Sequence, residues 1–313
     1  KIRFYFYMRI LITGITGQLG KSLIDIKPSN HEIIAPKRNE LNLSNARECE
    51  KIVDETNPDW IINCGAFVDV DSAEKNKSIA MKINAEAPKA FAKSIKKQNG
   101  NLIQISTDYV FNGEKRNLPY KINDKNNPIN VYGYSKFKAE KSIINILGGT
   151  KKGIILRTSW LISPYGQNFV LKMLRLFNTK KELKVVCDQI GSPTSAYGLA
   201  DVCWKILNLK NKSLIFENNT SGIMHWSDDG QTSWFEFAKS IRDLSQEIGL
   251  LKNDVELIPI KSKTFRTFAK RPIYSVLDSS HTKNILKISG NDWKKNLKFI
   301  LLKILTNNNL NKS

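Results

Sequence analysis

The most constraining feature of the sequence is a short apolar run that leads directly into three evenly spaced glycines. Residues 8–13 (MRILIT) are typical of a buried strand, and G-x-x-G-x-x-G follows at 14–20 before an amphipathic segment at 21–26. A strand, a glycine-rich turn and a helix in this order predict a dinucleotide site, since glycines let the backbone approach a pyrophosphate at the helix N-terminus. The predicted cofactor contacts in this turn are Gly14, Gly17, Gln18, Leu19 and Gly20.

The end of the second predicted strand indicates which dinucleotide is bound. Residues 32–35 read as a strand, and Pro36 then leads to Lys37 and Arg38. An acidic residue usually stands here when the cofactor has a free ribose 2′-hydroxyl, whereas cations suit a 2′-phosphate. Lys37 and Arg38 therefore predict NADPH as the cofactor, with NADH possible, although the same residues could form only a solvated basic loop.

Strands and helices alternate through the first half of the chain. Predicted strands cover 60–64, 102–106 and 153–157, and predicted helices cover 78–98 and 131–146. This alternation predicts an α/β protein with a Rossmann-type doubly wound parallel sheet. Small residues after the third strand let a cofactor approach the backbone, and they are Cys64, Gly65 and Ala66.

The alternation loosens after residue 160, which predicts two units. Residues 1–160 form the predicted NADP-binding Rossmann domain, with residues 1–7 as an extension before Met8. Residues 161–313 form mostly a smaller α+β substrate-binding lobe, interleaved with the first unit, to which about 184–210 is predicted to return. The polar tail 306–313 is predicted to be frayed.

Composition narrows the classes of function. The net charge is +20, from 49 basic and 29 acidic residues, but the lysines are scattered, which favours steering of phosphorylated small molecules over nucleic-acid binding. No apolar run is long enough to cross a bilayer, so we expect a cytoplasmic protein that binds no membrane. The four cysteines and three histidines lack metal-ligand or disulfide spacing, which predicts no metal site. The absence of a G-x-S-x-G motif argues against a hydrolase.

Tyr132 and Lys136 are the strongest candidates for chemistry. They lie four residues apart in a predicted helix, so they share one face. A lysine cation is expected to lower the pKa of the neighbouring phenol, which makes the pair a plausible general acid/base for a carbonyl. The hydroxyl of Thr107 or Ser106, at the end of a predicted strand, could bind the same substrate oxygen. The alternative is that the pair has no catalytic role and is only a half-buried tyrosine beside a solvated lysine.

These residues, taken with later motifs, resemble the dTDP-4-dehydrorhamnose reductase family of the extended short-chain dehydrogenase/reductase superfamily. The resemblance runs from Met8 nearly to the C-terminus. Its motifs are the glycine turn with residues 62–64, STDYVF at 106–111, NVYG at 130–133, RTSW at 157–160, DQIGSPT at 188–194, TSW at 232–234 and RPIYSVLD at 271–278.

The resemblance implies a catalytic triad of Thr107, Tyr132 and Lys136. NADPH would deliver hydride to the position-4 ketone of dTDP-4-dehydro-L-rhamnose, giving dTDP-L-rhamnose, while Tyr132 donates the proton. Thr107 would polarise the carbonyl. Tyr132 and Lys136 would also contact the cofactor, Lys136 at the nicotinamide ribose. A family asparagine that supports the site matches Asn84. The implied substrate contacts are Val68, Asp108, Tyr109 and Trp160 for the sugar, and Asn168 and Arg271 for the diphosphate, although Arg271 could equally be an ion-pair partner.

The chain departs from the family pattern at several positions. Val68 replaces a threonine, Ile162 stands where an aromatic residue is usual, and Lys37 replaces an acidic residue. Some relatives form magnesium-bridged dimers through a glutamate in the first helix, but residues 21–23 offer none. We therefore expect no metal, and a monomer or a homodimer.

Two alternatives follow from these departures. The chain could reduce another 4-keto-6-deoxy nucleotide sugar. It could also be a non-catalytic NADP-binding regulatory subunit, like the beta subunit of methionine adenosyltransferase. His225, which follows an apolar run, is predicted to be a packed or edge histidine rather than an acid/base.

Overall fold

A six-stranded parallel sheet forms the centre of the protein, which confirms the predicted α/β class. The computed structural model describes residues 7–114, 118–217 and 220–310, so residues 1–6 of the predicted extension lie outside the described residues. The described strands, in chain order, are β1 (Arg9–Thr13), β2 (Glu32–Ile34), β3 (Trp60–Asn63), β4 (Asn101–Thr107), β5 (Gly153–Thr158), β6 (Leu161–Ile162), β7 (Glu182–Val186), β8 (Ile190–Gly191), β9 (Thr194–Ser195), β10 (Ile223–His225), β11 (Thr232–Ser233) and β12 (Glu256–Ile260).

The strand order in the central sheet is β10-β5-β4-β3-β1-β2, and every neighbouring pair is parallel. Leu11 of β1 pairs with Ile34 on one side and with Ile61 on the other. The chain first adds β2 beside β1 and then continues with β3 on the opposite side, so the order reverses at β1. Ligands of such sheets bind beyond the carboxyl ends of the strands at the reversal. The segments after β1, β3 and β4 therefore form the expected ligand-binding edge.

Helices cover both faces of the sheet. The described α-helices, in chain order, are α1 (Gln18–Asp25), α2 (Ala46–Thr56), α3 (Val70–Lys75), α4 (Lys77–Met81), α5 (Ala87–Lys97), α6 (Val131–Leu147), α7 (Phe169–Phe177), α8 (Ala196–Leu207), α9 (Trp234–Glu247), α10 (Ser280–Leu286) and α11 (Trp293–Leu310). A π-helical turn at Lys82–Glu86 joins α4 to α5, so the single helix predicted at 78–98 is interrupted. Pro88 lies in the first turn of α5, and its missing N–H prevents an unbroken α-helical ladder there.

The alternation of side chains along β1 supplies both hydrophobic cores of the sheet. Ile10 and Ile12 are fully buried in the cluster that contains Trp204 of α8. Leu11 points to the other face and is buried with Phe91 of α5. A strand covered on both faces has no solvent-facing side, which explains the continuous apolar run in the sequence.

A third core lies in the C-terminal half. Helices α7, α9 and α11 enclose Phe177, Phe237 and Leu297, all fully buried. The neighbouring sheet pairs β7 with β12 in parallel, in register from Glu182 opposite Glu256. This cluster is distinct from the two cores of the central sheet.

The structure describes two segments of this half for which the sequence made predictions. Of the segment 184–210 predicted to return to the first unit, α8 packs against α1, but β7 does not, because Val185 is buried in the C-terminal core. The tail predicted to be frayed from residue 306 is helical as far as Leu310, because it continues α11 beyond its buried face at Ile304. Residues 311–313 lie outside the described part. The domain boundary at residue 160 stays a prediction.

Across residues 7–114, 118–217 and 220–310, no helix has both the length and the apolar character that a membrane crossing needs.

Candidate active site

Two caps fix the start of α6 at the carboxyl edge of the sheet. Asn130 accepts a hydrogen bond from the N–H of Gly133 across 2.8 Å. Its side-chain amide donates to the carbonyl of Lys270 across 2.9 Å. Glu74 of α3 accepts from the N–H of Val131 across 2.8 Å. These side chains satisfy N–H groups that have no partner inside the helix, so they hold its first turn in place.

Gly133 brings the first turn of α6 against the segment after β4. A Cβ at this position would lie 2.1 Å from the carbonyl oxygen of Tyr109, so only glycine permits the approach. The rings of Tyr132 and Tyr109 meet edge to face at 5.9 Å and 76°. Thr107, two residues before Tyr109, is the last residue of β4. Its hydroxyl interacts with the Tyr132 phenol. The structure thus brings Thr107, Tyr109 and Tyr132 together.

The ionisation of Tyr132 differs from the sequence expectation. Burial raises the pKa of its phenol to about 12, and the nearby Asp108 also raises it, while the Thr107 hydroxyl lowers it. The expectation that this pKa is lowered is therefore wrong, because the loss of hydration on burial is the largest effect on the phenol. Tyr132 is neutral at pH 7 and carries a proton that it can donate.

Lys136 lies one turn after Tyr132 on α6 and is buried. Its Nζ donates to the carbonyl of Ile105 across 2.5 Å. Burial lowers the pKa of Lys136 to about 8, although Glu140 and Cys64 act to raise it. The ammonium is thus tied to the end of β4 and mostly protonated at neutral pH.

Asp108 faces Thr107 rather than open space. The hydroxyl of Thr107 lies 3.0 Å from Oδ1 of Asp108 and accepts from the N–H of Tyr109 across 3.2 Å. Asp108 is 2% exposed, and its burial raises the pKa of the carboxyl to about 7. Its predicted role as a direct sugar contact stays a prediction, whereas its contact with Thr107 is observed.

A buried ion pair below these residues was missed by the sequence reasoning. Arg157 of β5 donates to Glu140 of α6 across 2.9 and 2.7 Å, and Ser106 donates to the same carboxylate across 2.5 Å. His225 is packed at 3.3 Å from Arg157 and is fully buried, as predicted. Two signals could have indicated the pair: Glu140 follows Lys136 by four residues, and Arg157 interrupts an apolar strand.

The glycine-rich turn fits a dinucleotide. A Cβ at Gly14 would lie 2.7 Å from the backbone of Gly65, and one at Gly20 would lie 2.3 Å from the carbonyl oxygen of Gly14. The loops after β1 and β3 therefore touch through glycines, with Cys64 and Ala66 on either side of Gly65. The N-cap of α1 is Gly17, which has no side chain to cap the first N–H groups of the helix. These N–H groups can bind a phosphate, and Gln18 and Leu19 open the helix there.

Lys37 and Arg38 are both exposed just beyond β2. The N–H of Lys37 donates to the carboxylate of Glu40 across 2.7 Å, which closes a short turn. Both cationic side chains remain open to solvent beside the edge where the adenosine half of a dinucleotide lies. This placement fits a 2′-phosphate.

Trp160 adopts a strained backbone beyond β5, with φ at +40°. Its indole stacks on Trp234 with a centroid distance of 3.4 Å and an angle of 8°. Gly191 makes room for it, since a Cβ there would lie 2.5 Å from the ring. A non-glycine residue in this conformation needs support from its surroundings, and the stack supplies it.

The remaining predicted substrate contacts lie in three different places. Val68 is 68% exposed. Asn168 caps α7 and donates to Oε1 of Gln18 across 3.0 Å, so it meets the glycine-rich turn. Arg271 donates to Asp71 across 3.2 and 2.6 Å, in the ion pair that the sequence left open as an alternative. Ile162, one of the departures from the family pattern, is buried in the C-terminal core.

Asn84 supports the site from the π-helical turn. It accepts from the N–H of Phe67 across 2.8 Å and donates to the carbonyl of Phe67 across 2.9 Å. It also donates to Ser135 of α6 across 3.0 Å. Asn84 thus ties the loop after β3 to the catalytic helix. Within the described ranges, no three His, Cys, Asp or Glu side chains lie together in a way that could hold a metal ion.

Comparison with known proteins agrees with this geometry. The family described as "RmlD substrate binding domain" matches residues 8–306. The chain is 36% identical over 294 residues to a dTDP-4-dehydrorhamnose reductase of Aggregatibacter actinomycetemcomitans, covering 93% of this chain and 98% of that protein. It is 30% identical over 271 residues to a dTDP-4-keto-6-deoxy-D-glucose reductase of Streptomyces niveus, covering 86% and 88%.

Among solved structures, the chain is similar to the crystal structure of dTDP-4-dehydrorhamnose reductase from Bacillus anthracis in complex with NADP. The TM-score is 0.84 and the identity 34%, covering 95% of this chain and 100% of that one.

Proposed function

Because the chain belongs to the RmlD substrate-binding-domain family, we infer that it reduces the 4-keto group of dTDP-4-dehydro-L-rhamnose to give dTDP-L-rhamnose. The protein is an NAD(P)H-dependent oxidoreductase with NADPH as its cofactor. The observation that carries this function is the grouping of Thr107, Tyr132 and Lys136 beside a glycine cradle that fits a dinucleotide.

In the proposed mechanism, Tyr132 is the general acid. When bound, NADPH supplies the hydride that the carbonyl carbon accepts. Tyr132 gives its phenolic proton to the carbonyl oxygen, which completes the alcohol. The phenol is protonated at pH 7, since burial raises its pKa to about 12, and general acids of this kind contribute about 10²–10⁴-fold to the rate.

Thr107 and Lys136 support this proton transfer. The Thr107 hydroxyl can donate to the same carbonyl oxygen and polarise it. The Lys136 ammonium, held by Ile105 at the end of β4, stabilises the phenolate that Tyr132 leaves behind. Lys136 is also proposed to bind the nicotinamide ribose hydroxyls, which is supported by the start of its helix at the same sheet edge as the glycine turn.

The proposed cofactor contacts follow the sequence assignment. The N–H groups at the start of α1, with Gly14, Gly17, Gln18, Leu19 and Gly20, bind the pyrophosphate. Lys37 and Arg38 bind the 2′-phosphate, and the backbone of residues 64–66 lines the nicotinamide half. Support comes from the mutual contact of Gly14 and Gly65.

The sugar contacts proposed from the sequence are Val68, Asp108, Tyr109 and Trp160, and the contact of the Tyr109 ring with Tyr132 supports Tyr109 among them. Asn168 and Arg271 are proposed for the diphosphate. Arg271 is paired with Asp71, so binding the diphosphate requires it to share or exchange that partner.

Reduction of another 4-keto-6-deoxy nucleotide sugar is the second candidate function. The Streptomyces niveus relative named for a different sugar, dTDP-4-keto-6-deoxy-D-glucose, is 30% identical to this chain. The exposed Val68 supports this candidate, because a valine there offers no hydroxyl to the ligand.

The decisive test is NADPH oxidation with freshly prepared dTDP-4-dehydro-L-rhamnose, comparing wild type with Tyr132→Phe. We expect wild type to turn over and the variant to lose at least about a hundredfold in kcat, the scale of a general acid. NADPH binding, followed by cofactor fluorescence, should be retained in the variant, because phenylalanine keeps the ring and removes only the hydroxyl. The same assay with dTDP-4-keto-6-deoxy-D-glucose tests the second candidate.

Wild type that binds NADPH but reduces neither ketone would refute the reductase function. It would favour the regulatory-subunit alternative, which predicts cofactor binding without turnover. The proposed oligomeric state, a monomer or a homodimer, is measured by light scattering of the purified chain.

A further inference from the structure

We propose that Asp108 is a positioning residue whose protonation decides whether the Thr107 hydroxyl can donate to the substrate carbonyl. This inference rests on the proposed reductase function, since it concerns the donor that polarises the ketone. This role, in which Asp108 acts through Thr107, replaces the direct sugar contact proposed for Asp108 from the sequence.

The hydrogen-bonding capacity of Thr107 makes this role possible. A threonine hydroxyl has one hydrogen to donate and two lone pairs to accept. One lone pair already accepts from the N–H of Tyr109 across 3.2 Å. Oδ1 of Asp108 lies 3.0 Å away, and the Tyr132 phenol also interacts with this hydroxyl. When a ketone is bound, Tyr132 donates to the ketone oxygen instead, which leaves Asp108 as the neighbour that sets the direction of the Thr107 hydrogen.

The direction of the bond between Thr107 and Asp108 depends on the proton. An ionised Asp108 can only accept, so it takes the single hydrogen of Thr107 and leaves none for the ketone. A protonated Asp108 donates to the second lone pair of Thr107. The hydrogen of Thr107 is then free to point at the substrate oxygen. The hydrogen and both lone pairs of the Thr107 hydroxyl are then all engaged in hydrogen bonds.

Burial favours the protonated form. Asp108 is 2% exposed, and its buried Oδ2 makes no hydrogen bond of ordinary length among the described residues, although the Ser275 hydroxyl faces the carboxyl. An ionised carboxylate with one oxygen left unsatisfied is strongly disfavoured, whereas a neutral acid tolerates it better. In agreement, burial raises the pKa of Asp108 to about 7.

The groups that face Asp108 oppose this shift only partly. The hydroxyls of Ser275 and Thr107 and the N–H groups of residues 108 and 109 favour the ionised form. Tyr109 and Tyr132 also lie close, but both are neutral phenols, since burial raises the pKa of each. The nearby cations have other partners: Arg271 pairs with Asp71, and Lys136 donates to Ile105.

The consequence is a reaction that is fastest below pH 7. As pH rises through about 7, Asp108 ionises, captures the Thr107 hydrogen and removes one donor from the carbonyl. A group with a pKa near 7 acting in this way lowers kcat/KM about tenfold between pH 6 and pH 8.

The test measures kcat/KM against pH at saturating NADPH for wild type, Asp108→Asn, Thr107→Val and the double variant. The asparagine amide does not titrate, so we expect the inflection near 7 to disappear in Asp108→Asn. In this variant, kcat/KM should first decrease only when the pH rises to about 8 or above, where Lys136 loses its proton. Each profile is normalised to its own value at pH 6, so the comparison does not depend on the absolute level.

Thr107→Val separates action through Thr107 from direct contact with substrate. Loss of one such donor costs about 10²–10³ in kcat, and the inflection near 7 should vanish with it. Adding Asp108→Asn to Thr107→Val should change nothing further, because the two residues act as one unit. A further loss in the double variant would mean that Asp108 touches the substrate, and would overturn the proposal.

An infrared difference spectrum gives a second readout that needs no turnover. Wild type minus Asp108→Asn at pH 6 should show the carbonyl stretch of a neutral carboxylic acid, and this band should titrate near 7. Absence of the band, or persistence of the inflection in Asp108→Asn, overturns the proposal. No turnover by wild type at any pH would refute the reductase function itself, whereas turnover without the inflection refutes only the role of Asp108.

Discussion

The guanidinium of Arg157 donates to Glu140 through Nε and Nη2, across 2.9 and 2.7 Å, with side chains that are 0% and 2% exposed. Glu140 follows Lys136 by one helical turn, and Ser106, which also donates to Glu140, precedes Thr107. The ion pair therefore joins β4, β5 and the catalytic helix below the candidate active site.

Removing one partner of this ion pair should strongly destabilise the folded protein. We expect Arg157→Met to lower the free energy of unfolding by about 3–5 kcal/mol, because it leaves the Glu140 carboxylate buried and unpaired. Urea denaturation measures the loss. The matched control is Arg9→Met, which breaks the half-exposed pair with Glu32 and should cost at most about 1 kcal/mol. Equal losses in the two variants would contradict the structural role of the buried pair.

Glu140 should also set the ionisation of Lys136. The Glu140 carboxylate raises the pKa of Lys136 against the lowering effect of burial, which leaves it at about 8. Glu140→Gln removes that charge, so the pKa should fall further and Lys136 should lose its proton at lower pH. In the Asp108→Asn background, the decrease of kcat/KM at alkaline pH should therefore begin below pH 8. Glu86→Gln, at an exposed position, should leave it in place.

The stacked pair of Trp160 and Trp234 should be visible by spectroscopy. Two indoles at 3.4 Å and 8° should give an exciton couplet in the far-ultraviolet circular dichroism. Trp234→Phe should remove the couplet and raise KM for the sugar nucleotide about threefold to tenfold, the range expected for an aromatic pair worth about 0.5–1.5 kcal/mol. Trp293→Phe should keep both the couplet and KM, since Trp293 contacts Phe237 instead. An unchanged KM in Trp234→Phe would show that the stack does not position Trp160 for binding.

Lys37 and Arg38 should discriminate between the two cofactors. Their cationic side chains are exposed next to the expected adenosine site. We expect Lys37→Ala with Arg38→Ala to raise KM for NADPH about tenfold to a hundredfold, the loss of a charge-assisted hydrogen bond worth about 1.5–3 kcal/mol. KM for NADH should stay the same, and Lys27→Ala, another exposed lysine, should affect neither cofactor. An equal rise for both cofactors would contradict recognition of the 2′-phosphate.

Gly133 should tolerate no side chain. Its Cβ would lie 2.1 Å from the carbonyl oxygen of Tyr109, so Gly133→Ala must displace the start of α6 and with it Tyr132. We expect a loss of about 1–3 kcal/mol in stability, as for other forced insertions into a packed site, together with reduced kcat. Gly148→Ala is the control, because its Cβ would meet its nearest neighbour, Ile144, at an ordinary 3.8 Å. Comparable melting temperatures and rates for the two variants would argue against a close approach at Gly133.

Local patterns in the sequence were enough to predict the parallel sheet and the candidate residues. The run before Gly14 and the spacing of Tyr132 and Lys136 depend only on the periods of strands and helices, and each is contained within one or two adjacent elements. The glycine turn is equally local, since its function needs a strand before it and a helix after it. The resemblance to a family then predicted the substrate, which the spacing of residues in the sequence does not specify by itself.

Tertiary structure decided what depends on distant segments and on burial. The partner of Arg157 lies 17 residues away, and the sequence reasoning missed it. The partner of Arg271 lies 200 residues away, and the sequence left that pairing open. The pKa of Tyr132 is raised rather than lowered because the surrounding segments exclude water from the phenol. Desolvation is a property of the assembled site, whereas periodicity is a property of the chain, and this difference separates what the sequence determined from what only the fold decided.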